Sequence, residues 1–115
     1  MDVGFIDTTF RDGSQSLWAL GLRAGMMEAV APSMDRAGFE VIEVPVTGIF
    51  VKKFVRYLKE DPWEMSRMVA RKMPDTAKIC IGGAFFHPFE APPPRPVVEL
   101  FFARLVETGA LNRIM

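Results

Sequence analysis

Several ingredients are scarce in this 115-residue chain, and each shortage narrows what it can be. There is a single cysteine, Cys80, so no internal disulfide framework is possible and a reducing compartment suits the chain. There is a single histidine, His87, followed by Pro88; it reads as a loop residue rather than a metal ligand. Lys plus Arg and Asp plus Glu both number 14, so no excess of positive charge marks a nucleic-acid partner or an acidic membrane surface. No apolar run approaches the roughly 18 residues needed to span a bilayer. The first apolar segment starts within a few residues of Met1, leaving no room for a targeting peptide, and a cytoplasmic location is expected.

What is present reads as an ordinary globular α/β pattern. Four short apolar segments, at residues 3–7, 40–44, 78–81 and 111–115, look like buried parallel strands. Their starts recur roughly every 35 residues, close to the length of one βα unit. Gly38 and Gly109 stand just before the second and fourth of them, where a left-handed glycine ends a helix. Between the strands, three helices are expected. The first buries Met26, Met27, Val30, Ala31, Met34 and Ala37, with Pro32 interrupting its pattern. The second starts at Asp61-Pro62-Trp63-Glu64, with Asp61 as N-cap, Pro62 in the first turn and Glu64 completing a capping box, and it buries Met65, Met68, Val69 and Met73. The third buries Val97, Val98, Phe101, Phe102, Leu105 and Val106. Methionines at such spacings are core residues before they are anything else. The stretch from His87 to Pro96 is too rich in proline for helix or sheet, and an extended spacer is expected there.

The chemistry concentrates where the first strand ends. Val3, Phe5 and Ile6 give way to the polar cluster Asp7-Thr8-Thr9, so the following loop carries Arg11, Asp12 and Gln15 just beyond the carboxyl end of a strand. Ligands bind at that end in parallel α/β folds. A carboxylate is a hard donor for a divalent cation, and a neighbouring guanidinium can stabilise an enolate drawn toward it. The plainer alternative is a surface salt bridge between Arg11 and Asp12, with hydroxyls satisfying turn amides.

The run Asp7-Thr-Thr-Phe-Arg-Asp-Gly-Ser-Gln-Ser-Leu17 resembles the first-strand signature of the metal-dependent TIM barrels that include 3-hydroxy-3-methylglutaryl-CoA lyase, isopropylmalate synthase and the biotin-dependent carboxyltransferases. Phe54-Val-Arg-Tyr-Leu-Lys-Glu-Asp-Pro-Trp-Glu64 is similar to a segment of the carboxyltransferase branch, as in pyruvate carboxylase and the oxaloacetate decarboxylase α subunit. Gly13 fits the lyase and synthase branch better, so a fragment of an acyl-CoA lyase or synthase is the alternative.

The resemblance implies a partial (β/α)8 TIM barrel of about three and a half βα units, because a whole barrel needs about 250 residues. It implies that Asp12 ligates a divalent metal, that Arg11 steadies a developing enolate, and that Gln15 contacts a small 2-oxo acid such as pyruvate or oxaloacetate. Biotin would serve as the carboxyl carrier. The histidine pair and modified lysine that complete such a metal site do not occur here, and Gly82-Gly83 stands where carboxyltransferases place a substrate-binding arginine. The chain is therefore expected to be inactive alone, as the amino-terminal portion of a longer enzyme or as a subunit whose barrel another polypeptide completes. A non-catalytic binding or assembly module is the remaining possibility. An open sheet edge makes an oligomer the expected state.

Overall fold

The computed structural model describes residues 2–46, 48–81 and 93–114. The expectations for Gly82, Gly83, His87 and most of the proline-rich stretch fall outside them. Along the described chain run strand β1 (Ile6–Asp7), a π-helical turn (Thr9–Gly13), α1 (Ser14–Trp18), α2 (Ala24–Asp35), β2 (Val41–Glu43) and α3 (Gly48–Lys53). A second π-helical turn (Phe54–Leu58), α4 (Pro62–Lys72), β3 (Ala77–Cys80), α5 (Arg95–Glu107) and β4 (Arg113–Ile114) follow. The strands form one parallel sheet in the order β1-β2-β3-β4, with Ile6 opposite Val41, Ile42 opposite Lys78 and Ile79 opposite Arg113. Parallel neighbours joined through helices are what the recurrent spacing of the apolar segments predicts.

The middle of the sheet is buried at consecutive positions, Val41 to Glu43 on β2 and Lys78 to Cys80 on β3, so both faces are covered there. A strand covered on both faces reads as a continuous apolar run, which is how these segments appear in the sequence. Exposure is instead concentrated at β1, where Val3, Phe5 and Ile6 are 67%, 69% and 50% accessible. The expected strand at residues 3–7 pairs regularly only over its last two residues; one further bond joins the Glu40 amide to the Phe5 carbonyl at 2.9 Å.

The fourth strand is also shorter than the apolar run suggests. Asn112 replaces a backbone rung there: its side-chain Oδ1 accepts from the Lys78 amide at 2.7 Å, and its own amide donates to the Lys78 carbonyl at 2.8 Å. Gly38 and Gly109 adopt φ of 82° and 77°. Each reverses the chain just before a strand in a conformation that costs a residue with a Cβ about 1 kcal/mol.

Two helical segments are present that the apolar pattern does not announce. The stretch after β1, expected as a loop, is helical almost throughout from Thr9 to Trp18. Residues 48–58 are helical as well, and bury Phe50 and Phe54 one turn apart. The outer helices bury narrower stripes than expected. In α2 only Met27 and Ala31 are fully buried, Met26 and Val30 are exposed, and Ala37 lies past its end. The helix packs against α4 alone in any depth, so one ridge suffices. Pro32 sits inside α2 without ending it. In α5 only Leu105 is fully buried; Val97 and Val106 are more than half exposed, because the helix flanks the last strand and has neighbours on one side. Its Phe101 ring meets Trp63 at 5.2 Å between centroids.

The segment Lys59–Glu64 is the junction of these outer elements. Lys59 takes a left-handed conformation, φ 57°, that ends the second π-helical turn. Glu60 then reaches across to α2, accepting from the Ala24 amide at 3.0 Å and pairing with Arg23 at 3.1 Å, which supplies the cap that Arg23 itself cannot. Asp61 caps α4 by accepting from the Trp63 and Glu64 amides, with Pro62 in the first turn as expected. Glu64 does not close a capping box but pairs with Arg67 one turn on. Two adjacent carboxylates therefore start two different helices.

Candidate active site

The site begins with the way β1 stops. Asp7 turns its carboxylate back on the chain, accepting from the Thr9 amide at 3.0 Å and the Thr9 hydroxyl at 2.9 Å. This Asx-type turn ends the strand and starts the helical stretch. The Thr8 carbonyl then accepts from the amides of Arg11, Asp12 and Gly13, with the Asp12 bond shortest at 2.7 Å. Such a widened π turn is a rare geometry, met most often at functional sites. Phe10 and Ser14, four residues apart, are buried and anchor it; the Ser14 hydroxyl accepts from the Leu22 amide at 3.4 Å.

Anchoring Phe10 inward sets its neighbour Arg11 over the carboxyl ends of the strands. Arg11 Nε lies 2.7 Å from Glu43 Oε1, and Nη1 lies 3.1 Å from Asp12 Oδ1. Glu43 is the last residue of β2 and is fully buried, whereas the Arg11 side chain is 18% accessible and that of Asp12 is 53% accessible. A guanidinium thus bridges an interior carboxylate and a surface one. The contact to Glu43 is close but angled: among the described residues neither Arg11 Nε nor either Glu43 oxygen makes a linear hydrogen bond. Charge neutralisation is satisfied there, while hydrogen-bonding capacity on a buried carboxylate is left over.

Glu43 also shapes its other neighbour. The Cys80 thiol on β3 is pushed up to about 11, first by burial and then by the Glu43 carboxylate, so it stays protonated and inert at neutral pH. Glu43 is not among the site residues expected from the sequence. Its signal is nonetheless there: it is an acid set inside the apolar run Val41-Ile42-Glu43-Val44, where a strand buried on both faces has no use for a charge unless it is paired.

The expected site residues are thus brought together in part. Arg11 and Asp12 are in contact. Gln15 sits one turn further on, in α1, exposed and with no hydrogen-bond partner among the described residues. The salt bridge between Arg11 and Asp12 that the plainer alternative envisages does form, but it is the weaker half of the arrangement. A divalent metal does not fit the described residues on their own: no group of three or more His, Cys, Asp or Glu among them could hold an ion. Asp7 is engaged by Thr9, Glu43 by Arg11, and Asp12 stands alone. Among the described residues no helix is long and apolar enough to cross a membrane.

A parallel α/β chain with an arginine held at the carboxyl ends of its first strands has the design of a carboxyltransferase domain, and its structural neighbours are such domains. The carboxyl transferase domain of Rhizobium etli pyruvate carboxylase, solved with pyruvate and biocytin, matches 97% of this chain and 19% of its own, with a TM-score of 0.81 and 26% identity. The same domain without those ligands matches with a TM-score of 0.79.

The homologues by sequence are large subunits of pyruvate carboxylase and of 2-oxoglutarate carboxylase. A pyruvate carboxylase subunit of Methanocaldococcus jannaschii is 42% identical over 74 residues, 64% of this chain and 13% of that protein. The 2-oxoglutarate carboxylase large subunit of Hydrogenobacter thermophilus is 40% identical over 70 residues, 61% of this chain and 11% of that protein. The chain therefore spans little more than a tenth of the length of these curated relatives. No protein-family model matches it.

Proposed function

We propose that this chain is the amino-terminal part of a carboxyltransferase or decarboxylase acting on a small 2-oxo acid such as pyruvate or oxaloacetate, and that it is inactive until the rest of its domain is supplied. The observation that carries this reading is Arg11, fixed by the buried Glu43 at the carboxyl end of the sheet. A guanidinium held rigidly at that place can receive the negative charge that develops on an enolising oxo acid without reorganising, which is where electrostatic catalysis is strongest. Glu43 acts through Arg11 by setting its orientation. Gln15, one turn away on the same rim, would contact the acid.

The reading takes the sheet as a partial (β/α)8 barrel of about three and a half units, with the missing wall joined at β1 and β4. Each of those strands has only one neighbour in the sheet. In that completed domain Asp12 would be one ligand of a divalent metal, and biotin would carry the carboxyl group to or from the substrate. The chain alone has a single free carboxylate at the rim, which is too few oxygen donors for a catalytic ion. The partner is thus the remainder of the domain, on the same or a complementary polypeptide, and the compartment is the cytoplasm. A fragment of an acyl-CoA lyase or synthase is less well supported, since the homologues are carboxylase subunits.

A chimera tests this: the present chain replaces the matching segment of the Methanocaldococcus jannaschii protein, and oxaloacetate decarboxylation and metal affinity are followed together. The chimera should turn over, the isolated chain should not. Arg11→Ala should lower kcat by about a hundredfold or more with metal affinity retained, and Asp12→Ala should weaken metal binding. Activity from the isolated chain, or a chimera indifferent to both substitutions, would sink the assignment.

A further inference from the structure

The second helical segment carries a feature that the proposed reaction does not use. Between Lys52 and Lys59 the chain places four cations, Lys52, Lys53, Arg56 and Lys59, and no acid. Helical spacing sets Lys52, Arg56 and Lys59 one turn apart, while Phe50 and Phe54, which are buried, mark the inward side. Beside that column stands a second: the Lys53 ammonium lies 5.0 Å from the centre of the Tyr57 ring, and Tyr57 and Val55 are 67% and 53% accessible.

The isolation of this charge is what sets it apart. Elsewhere Arg11, Arg23, Arg67, Lys72, Arg95 and Arg104 each pair with a carboxylate. Lys52, Arg56 and Lys59 have neither an ion-pair nor a hydrogen-bond partner among the described residues. In a chain whose formal charges cancel, concentrating unneutralised cations on one face costs self-repulsion that an opposite surface would relieve.

We infer that the face formed by Lys52, Lys53, Arg56, Tyr57 and Lys59 docks an acidic surface of another protein. A protein fits better than a nucleic acid because the cations surround an exposed Tyr57 and Val55. Arginine and tyrosine in a mixed apolar and basic patch are the composition of protein interface centres, whereas phosphate-backbone binding rests on a domain-wide positive excess that this chain lacks. The inference is independent of the carboxyltransferase reading, since it uses none of the residues at the strand ends.

Fluorescence anisotropy with the whole chain and a labelled oligoglutamate peptide tests it, against duplex DNA of equal charge and vesicles of anionic phospholipid. Oligoglutamate should bind in a salt-sensitive way. Lys52→Glu with Arg56→Glu should weaken that binding roughly tenfold or more, on the scale of a few exposed ion pairs. Arg95→Glu with Arg104→Glu changes the net charge equally and should leave it within about twofold, with circular dichroism confirming the fold of both variants. Absence of oligoglutamate binding, equal losses in the two double variants, or tighter binding to DNA or to vesicles would each overturn the proposal.

Discussion

At the scale of single residues, the Arg11–Glu43 pair carries an asymmetry that can be measured. Glu43 is fully buried and Arg11 is 18% accessible, so the two partners do not suffer equally when the other is removed. Arg11→Ala strands a carboxylate in the interior and should cost about 3 kcal/mol or more. Glu43→Gln leaves a guanidinium that can turn toward Asp12 and solvent, and should cost visibly less. Urea unfolding of the two variants checks the order. Equal losses would mean that packing and not charge holds the site.

Cys80 supplies a second residue-scale test. Its thiol titrates at about 11 in the folded chain against a usual 9.0, because burial and the Glu43 carboxylate disfavour the thiolate. The folded state therefore holds this proton more tightly than the unfolded one. That contribution is whole below pH 9.0 and is lost as pH rises toward about 11, so the urea midpoint should fall over that window. Cys80→Ser or Cys80→Ala should flatten the fall. In native buffer a thiol reagent should react with the wild-type chain only at the rate of its unfolding.

At the scale of elements, the caps are the most legible part of the sequence. Asp61 and Pro62 start α4 as their spacing requires, and Gly38 and Gly109 occupy the left-handed turns assigned to them. These signals are local: a side chain satisfies an amide two or three residues away, and no knowledge of the fold is needed. The buried stripes are less legible, because apolar spacing shows which face of α2 or α5 could be covered and not how much of it meets a neighbour. Glu43 escapes a reading of the sequence for a related reason. Its meaning comes from Arg11, which lies on another strand's continuation and touches it only after the sheet has formed. The strand–loop pattern puts Asp12 and Gln15 on the correct rim, but as a loop; the helical turn that holds them depends on bonds made by Asp7 and Thr8 that the pattern leaves unspecified.

Element-scale stability should follow the same junction. Asp61→Ala removes an N-cap and should cost about 1 kcal/mol. Glu60→Ala removes the bond to the Ala24 amide together with the Arg23 pair, for a loss of similar size. Thermal melts of both variants check this, and a neutral effect of Glu60→Ala would show that water caps α2 equally well.

At the scale of the whole molecule, the sheet has two strands with one neighbour each and an accumulation of exposed apolar side chains at only one of them. Val3, Phe5 and Ile6 leave β1 uncovered, and an unpaired apolar edge is a template for association. The isolated chain should therefore be larger than a monomer by light scattering at micromolar concentration, and Phe5→Lys should shift it toward the monomer. A monodisperse monomer would show that the edge is protected in some other way.

The arrangement at Lys59–Glu64 has a consequence for the order in which the molecule comes apart. Glu60 and Asp61 are consecutive, yet one secures the start of α2 and the other the start of α4, and these two helices pack on each other. A fluctuation that frees this short stretch loosens both helix beginnings in the same event. The outer layer then behaves as a single cooperative unit, opening and closing together, while the central strands behind it keep their ladder. Two segments separated by some three dozen residues of chain thus share one latch.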